Sequence, residues 1–132
     1  MEAMSGSARR RVFVLPYPPS INHYWRRVGE RMLISREGRR YRKRVCAVLA
    51  AAGVQPLRGR LAVRVEVHPP DRRRRDLDNV QKALLDALEH GGAYDDDDQI
   101  DRIEVERGDV HPPGHVNVEI EEFPDGTAPV PA

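Results

Sequence analysis

The segment Leu61-Ala62-Val63-Arg64-Val65-Glu66-Val67-His68 is followed at once by Pro69-Pro70. Leu61, Val63, Val65 and Val67 alternate with Arg64, Glu66 and His68, so a strand here turns one face to a core and the other to water. Prolines cannot donate to a sheet ladder, and the strand must stop at His68. The run Asp71-Arg72-Arg73-Arg74-Arg75-Asp76-Leu77-Asp78-Asn79 therefore projects from a strand end, where loop residues can converge on a ligand without disturbing the core.

That run contains a contradiction. Arginines attract phosphate, whereas Asp76 and Asp78, two residues apart, repel it unless a divalent cation stands between them. The same contradiction divides the whole chain. Its net charge is +1, yet residues 1–75 carry 19 Lys and Arg against 5 Asp and Glu, and residues 76–132 carry 3 against 16. A basic half suits a polyanion, while an acidic half in one small domain either binds metal or repels that polyanion.

Residues 1–10, rich in Ser, Gly and Ala, read as a flexible lead-in, residues 11–122 as one domain, and residues 123–132 as a loose tail. Arg11 to Leu15 forms a short strand closed by Pro16-Tyr17-Pro18-Pro19. The stretch from Ser20 to Ile34 has no clear helical period and reads as a polar, aromatic and basic loop. Asn22, Arg26 and Arg27 there suit phosphates, and the rings of Tyr17, Tyr24 and Trp25 either stack on bases or simply cover the sheet. Ser35 is the expected N-cap of a helix ending before Gly53, with Tyr41, Val45, Val48, Leu49 and Ala52 as its apolar stripe. Its other face, with Arg39, Arg40, Arg42, Lys43 and Arg44, is either solvated or turned to phosphate.

A second helix is expected from Leu77 to Glu89, with Val80, Ala83, Leu84, Ala87 and Leu88 turned inward. Asp78, Lys82 and Asp86 share the opposite face, as a solvated charge ladder or as part of a site. Asp95 to Asp98 repel one another and are either an acidic loop in solvent or a cation site. Ile100 to Glu106 and His115 to Glu121 read as strands, joined through Pro112-Pro113-Gly114 as an antiparallel hairpin. The order β-α-β-α-β-β fits several layouts; the expected one is an α+β fold, a small mixed β-sheet with two helices packed on it.

A single cysteine, Cys46, on an apolar helix face, excludes an internal disulfide and a cysteine-based zinc site, and suits a reducing compartment. No apolar run approaches the roughly 18–20 residues of a membrane span, so a soluble cytoplasmic protein is expected. The segment from Asp76 departs from an EF-hand loop at Val80, Gln81 and Ala87. No Gly-rich nucleotide loop is present, and no nucleotide cofactor is expected. If the second helix and the loop after it bring Asp76, Asp78 and the Asp95–Asp98 cluster together, the result is an all-oxygen site beside arginines, suited to Mg²⁺ or Mn²⁺.

The run from Pro70 to Asn79, followed by Lys82, Asp86-Ala87-Leu88 and Asp96-Asp97-Asp98-Gln99-Ile100, resembles the RusA family of Holliday junction resolvases. Leu15-Pro16-Tyr17-Pro18-Pro19-Ser20-Ile21-Asn22 is similar to that family's amino-terminal motif, with Ile21 where some relatives carry a second Asn. The resemblance covers about Val12 to Ile120. It implies a RusA-like fold and a homodimeric, Mg²⁺-dependent crossover junction endodeoxyribonuclease of phage or prophage ancestry. Such an enzyme cuts paired strands of a four-way junction in recombination and repair, leaving 5′-phosphates. By that resemblance Asp76, Asp78 and Asp97 are catalytic metal ligands, with Asp96 the alternative to Asp97, and Lys82 is the essential lysine, placed either to stabilise developing charge or to orient the water. Arg72, Arg73, Arg74, Arg75, Asn79, Asn22, Arg26, Arg27, Arg40 and Lys43 are the expected DNA contacts. The alternatives are a non-catalytic nucleic-acid-binding module and a Mg²⁺ nuclease that prefers flaps or other branched DNA.

Overall fold

The computed structural model describes residues 9–123. Most of the expected lead-in and the tail beyond Phe123 lie outside the described residues. The elements are β1 (Arg10–Pro16), a single helical turn α1 (Ile21–Tyr24), β2 (Trp25–Val28), β3 (Arg31–Ile34), α2 (Arg36–Ala51), β4 (Leu61–His68), α3 (Asp78–His90), a 3-10 turn (Asp97–Gln99), β5 (Ile100–Arg107) and β6 (His115–Glu122).

The α+β class holds. A four-stranded mixed sheet runs in the order β1-β6-β4-β5, and β2 and β3 form a separate two-stranded ribbon. β4 is parallel to β5 on one side and antiparallel to β6 on the other. β6 also pairs antiparallel with β1. In register, Phe13 lies opposite Val118, Val118 opposite Val65 and Val65 opposite Val105, which makes an apolar row across all four strands. Leu61, Val63, Val65 and Val67 are buried as their alternation requires.

The core lies between this face of the sheet and the two long helices. Tyr41, Val45 and Leu49 of α2, and Val80, Ala83, Leu84, Ala87 and Leu88 of α3, are buried together with Phe13, Leu15, Val116, Val118 and Ile120. Val48 is only partly buried and Ala52 is exposed, so the α2 stripe is narrower than its sequence suggests. Cys46 is likewise half-buried at the edge of that stripe, not in the core. Ser35 caps α2 as expected, its Oγ accepting from the Gly38 N–H at 2.9 Å. Tyr41 donates its hydroxyl to the Pro16 carbonyl at 2.8 Å and so fixes α2 to the end of β1.

Two expectations are corrected. β5 and β6 are not a hairpin, because β4 lies between them. β4 is the strand with the fully apolar inner row, and burying it on both edges satisfies its backbone as well as its side chains. Ser20 to Ile34 is not a structureless loop. It folds into α1 and the β2–β3 ribbon, closed by the Ser35 N–H donating to the Tyr24 carbonyl at 2.8 Å. Gly38 makes that closure possible: a Cβ there would lie 2.4 Å from the Tyr24 carbonyl oxygen.

Candidate nucleic-acid interface and metal site

An open groove of about 1060 Å³ is lined mainly by three separate segments of the chain, with Pro113 of the β5–β6 connection at its edge. Tyr17, Asn22 and Arg26 come from the β1–β2 region, Arg36, Arg40 and Arg44 from α2, and Arg73, Arg74, Arg75, Asp76 and Asn79 from the run after β4. Topology explains the meeting. β1 and β4 run in the same direction, since both are antiparallel to β6, so Pro16-Pro19 and Pro69-Pro70 leave the sheet at the same end. Gly114 sits between them, where a Cβ would lie 3.0 Å from Pro70 Cδ and 3.1 Å from Tyr17 Cβ.

The four arginines of the run divide by role. Arg75 donates from Nη1 to Asp71 Oδ1 at 2.7 Å and lies over the Tyr17 ring, 5.7 Å from its centroid. Asp71 also accepts from the Arg73 N–H at 2.9 Å. The Arg75 guanidinium first, and the Arg73 N–H second, hold the Asp71 carboxyl down to about 2. Arg107 donates to the Arg75 carbonyl at 2.8 Å and ties the run to β5. Arg75 is thus an internal brace, while Arg72, Arg73 and Arg74 are exposed. Arg27 and Lys43 are exposed but do not line the groove.

The charged face of α3 is not a free ladder. Asp86 accepts from Arg42 Nε at 2.8 Å and from the Tyr24 hydroxyl, so this end of the face is turned into the α1–α2–α3 junction. Burial, and then the bond to Asp86, raise the Tyr24 phenol well above its ordinary value. Lys82 and Asp78 are exposed, and neither has an ion-pair partner among the described residues.

The acids after α3 lie elsewhere. β5 begins opposite the start of β4, with Ile100 paired to Leu61, so the Asp95–Gln99 segment sits at the sheet end opposite the arginine run. α3, about 20 Å long at 1.5 Å per residue, separates the two. The expected return of the chain does not occur, because a parallel β4-α3-β5 unit must start both strands at the same end. Asp97 instead groups with Glu89 and Asp96, one carboxylate oxygen of each lying within 4.8 Å of the others. Among the described residues this is the one such group of three, and it includes neither Asp76 nor Asp78.

The acidic turn is built around Gln99. Its Oε1 accepts from the Asp95 and Asp96 N–H groups at 2.9 and 3.0 Å, and its Nε2 donates to the Leu57 and Gly59 carbonyls at 3.1 and 3.0 Å. The Asp97 N–H donates to Glu89 Oε1 at 3.0 Å and docks the turn on the end of α3. Asp95 is paired with Arg58 at 3.1 Å, whereas Asp96 and Asp97 have no cationic partner among the described residues. An all-oxygen group of unpaired carboxylates fits a hard divalent cation. Sequence reasoning missed Glu89, whose only signal is its place just before the helix stop at Gly91-Gly92.

A sequence model of the family described as Endodeoxyribonuclease RusA matches residues 16–121. The chain belongs to the RusA family. That match spans every segment of the groove and both acidic groups. Among RusA relatives, the chain is 47% identical over 112 residues to the crossover junction endodeoxyribonuclease of Enterobacteria phage HK97, covering 84% of this chain and 93% of that one. It is 41% identical over 110 residues to the crossover junction endodeoxyribonuclease of Escherichia coli (strain K12), covering 83% and 92%. The RusA protein of Enterobacteria phage 82 is also 41% identical over 110 residues, with the same coverage of each chain, 83% and 92%. A RusA assignment makes this chain a nuclease, and no helix among its described residues is long and apolar enough to cross a membrane.

Proposed function

We propose that this chain is a homodimeric, Mg²⁺-dependent endonuclease that resolves four-way DNA junctions by paired phosphodiester hydrolysis. The observation that carries the reading is the groove that Arg73, Arg74 and Arg40 line together with Asp76, two residues before α3. Arginines there neutralise phosphates, and Asp76 and Asp78 stand where one phosphate would otherwise be repelled.

Asp76, Asp78 and Asp97 would hold the cation, with Asp96 of the acidic turn and Glu89 at the end of α3 as further candidates. A bound Mg²⁺ would supply charge neutralisation at the phosphate and make a water acidic enough to serve as nucleophile. Lys82, one helical turn beyond Asp78, would balance negative charge as the phosphate is attacked. Asn79 would orient a carboxylate or bond a phosphate oxygen, and Asn22, Arg26, Arg27, Lys43 and Arg72 would follow the strands away from the cut.

The separation of the acids along α3 supports the dimer. Two copies related by a two-fold axis, with their α3 helices antiparallel, would bring Asp97 of one beside Asp76 and Asp78 of the other. Both sites would then be completed at once, which suits paired cuts in opposed strands.

The test is to incubate the protein with labelled four-way junction, flap and duplex, with Mg²⁺ or with EDTA, and to map the cuts. Symmetrical, metal-dependent nicks in the junction are expected. Cuts confined to the flap, or binding without cleavage, would overturn the proposal.

A further inference from the structure

The β2–β3 ribbon projects from the rim of the groove and leaves large apolar side chains in water: Val28 is 41% exposed, Leu33 37% and Met32 59%. Its register sorts its residues by face. Trp25 pairs with Ile34 and both pack on the core, so that face meets the body of the protein at its base, while the Arg27–Met32 pair further along the same face stays exposed. Arg26 pairs with Leu33 and Val28 with Arg31, so these four share the opposite, outward face. Each apolar side chain there stands across from an arginine. Arg26 also lines the groove, so the outward face continues the surface on which the phosphates would lie.

We infer that this face is an arm that reads the branch point of DNA: Arg26 and Arg31 hold phosphates while Leu33 and Val28 pack against bases left unstacked at the crossover. The inference rests on the proposed junction activity and extends it to substrate selectivity. Isolated apolar residues between cations match a strand whose bases are exposed between phosphates, and apolar side chains inserted at weakened base steps are a general means of holding distorted DNA. Intact duplex keeps its bases stacked and offers them nothing to cover. A second copy of the chain is a poor occupant, because two such faces would bring arginine against arginine. Gly29, in the left-handed region at φ 63°, makes the tight turn that presents the face.

The experiment uses the full chain in Ca²⁺ or EDTA, a four-way junction carrying 2-aminopurine beside the crossover, and a duplex of the same sequence. Wild type should bind the junction more tightly and raise the probe's fluorescence there alone. The Val28→Thr/Leu33→Thr variant, which keeps β-forming residues, should lose the fluorescence rise and about tenfold in junction affinity, with duplex affinity unchanged. Val12→Thr/Val14→Thr, on the open face of the large sheet, should behave as wild type, and Leu33→Met should retain the rise. A Val28→Thr/Leu33→Thr protein with wild-type circular dichroism that still prefers the junction and still raises fluorescence would overturn the inference. Absence of junction preference in the wild type would instead overturn the proposed function.

Discussion

Asp86 on α3 accepts a 2.8 Å hydrogen bond from Arg42 on α2, and the Tyr24 hydroxyl donates to the same carboxylate. Both charged side chains are largely covered, at 22% and 29% exposure. Removing either leaves the other without its partner where water reaches poorly, so Arg42→Ala or Asp86→Ala should lower stability by on the order of 2 kcal/mol. The double variant should be less destabilised than the sum of the two, and chemical denaturation would measure the coupling. Strict additivity would show that the two do not interact.

Asp71 gives a pH signature. Arg75, and next the Arg73 N–H, lower its carboxyl from 3.8 to about 2. The folded state therefore favours the charged form, and this stabilisation is full above about pH 4 and lost as pH falls through about 2. A carbon-detected NMR titration should place the Asp71 midpoint near 2 in the wild type and nearer 3.8 in Arg75→Gln. A wild-type midpoint at the ordinary value would mean that Arg75 does not brace the run.

The arginines should separate in binding experiments. Arg73→Ala and Arg74→Ala should weaken junction and duplex binding alike and each reduce the salt slope by about one. Arg75→Ala should instead leave the slope near wild type while loosening the segment after β4, seen as faster amide exchange at Arg73. Equal salt effects in all three would remove the distinction.

Asp78→Asn keeps the shape of the side chain and removes its charge, so junction binding should persist while cleavage disappears. Asp97→Asn should do the same. If each site draws Asp76 and Asp78 from one copy and Asp97 from the other, mixing the two dead variants restores one intact site per mixed dimer. Single-strand nicking of the junction by the mixture, and by neither variant alone, is the expected result. No recovery after subunit exchange, verified by mass spectrometry, would exclude a shared site.

Gly38→Ala tests the seat of the ribbon. The new Cβ would fall 2.4 Å from the Tyr24 carbonyl and 2.8 Å from Ile34 Cγ1. Overpacking against backbone should cost about 1–3 kcal/mol in thermal or denaturant unfolding. An unchanged melting temperature would show that α2 can move away from the ribbon without loss.

Much of the fold was legible in the residues themselves. The inward face of α3, Val80 to Leu88, repeats at helical spacing, and Leu61 to His68 alternates without a break; both patterns record burial directly. The groove arginines announce themselves by density. Pairing was not legible, because nothing in Ile100–Arg107 or His115–Glu122 states that each prefers β4 to the other. The ribbon is not legible in the sequence, because four-residue strands of mixed arginine and aliphatic character carry too little alternation to distinguish them from loop. Asp71 looked like one more charge, and its bond to Arg75 depends on a turn that only the folded backbone makes. Glu89 looked like an ordinary surface residue of a helix, and only the docking of Asp97 on its carboxylate sets it apart.

The position of β4 has a mechanical consequence. It is hydrogen-bonded along both edges, so its amides should exchange only when the whole domain opens. The β2–β3 ribbon has no third strand among the described residues and should open locally at a small fraction of that free energy. One wall of the groove is therefore hung from the least yielding strand of the molecule and the other from one of the most yielding. DNA entering between them would meet a fixed anvil on the side of Asp76 and a compliant finger on the side of Leu33, able to adjust to the angle between the arms without disturbing the acids.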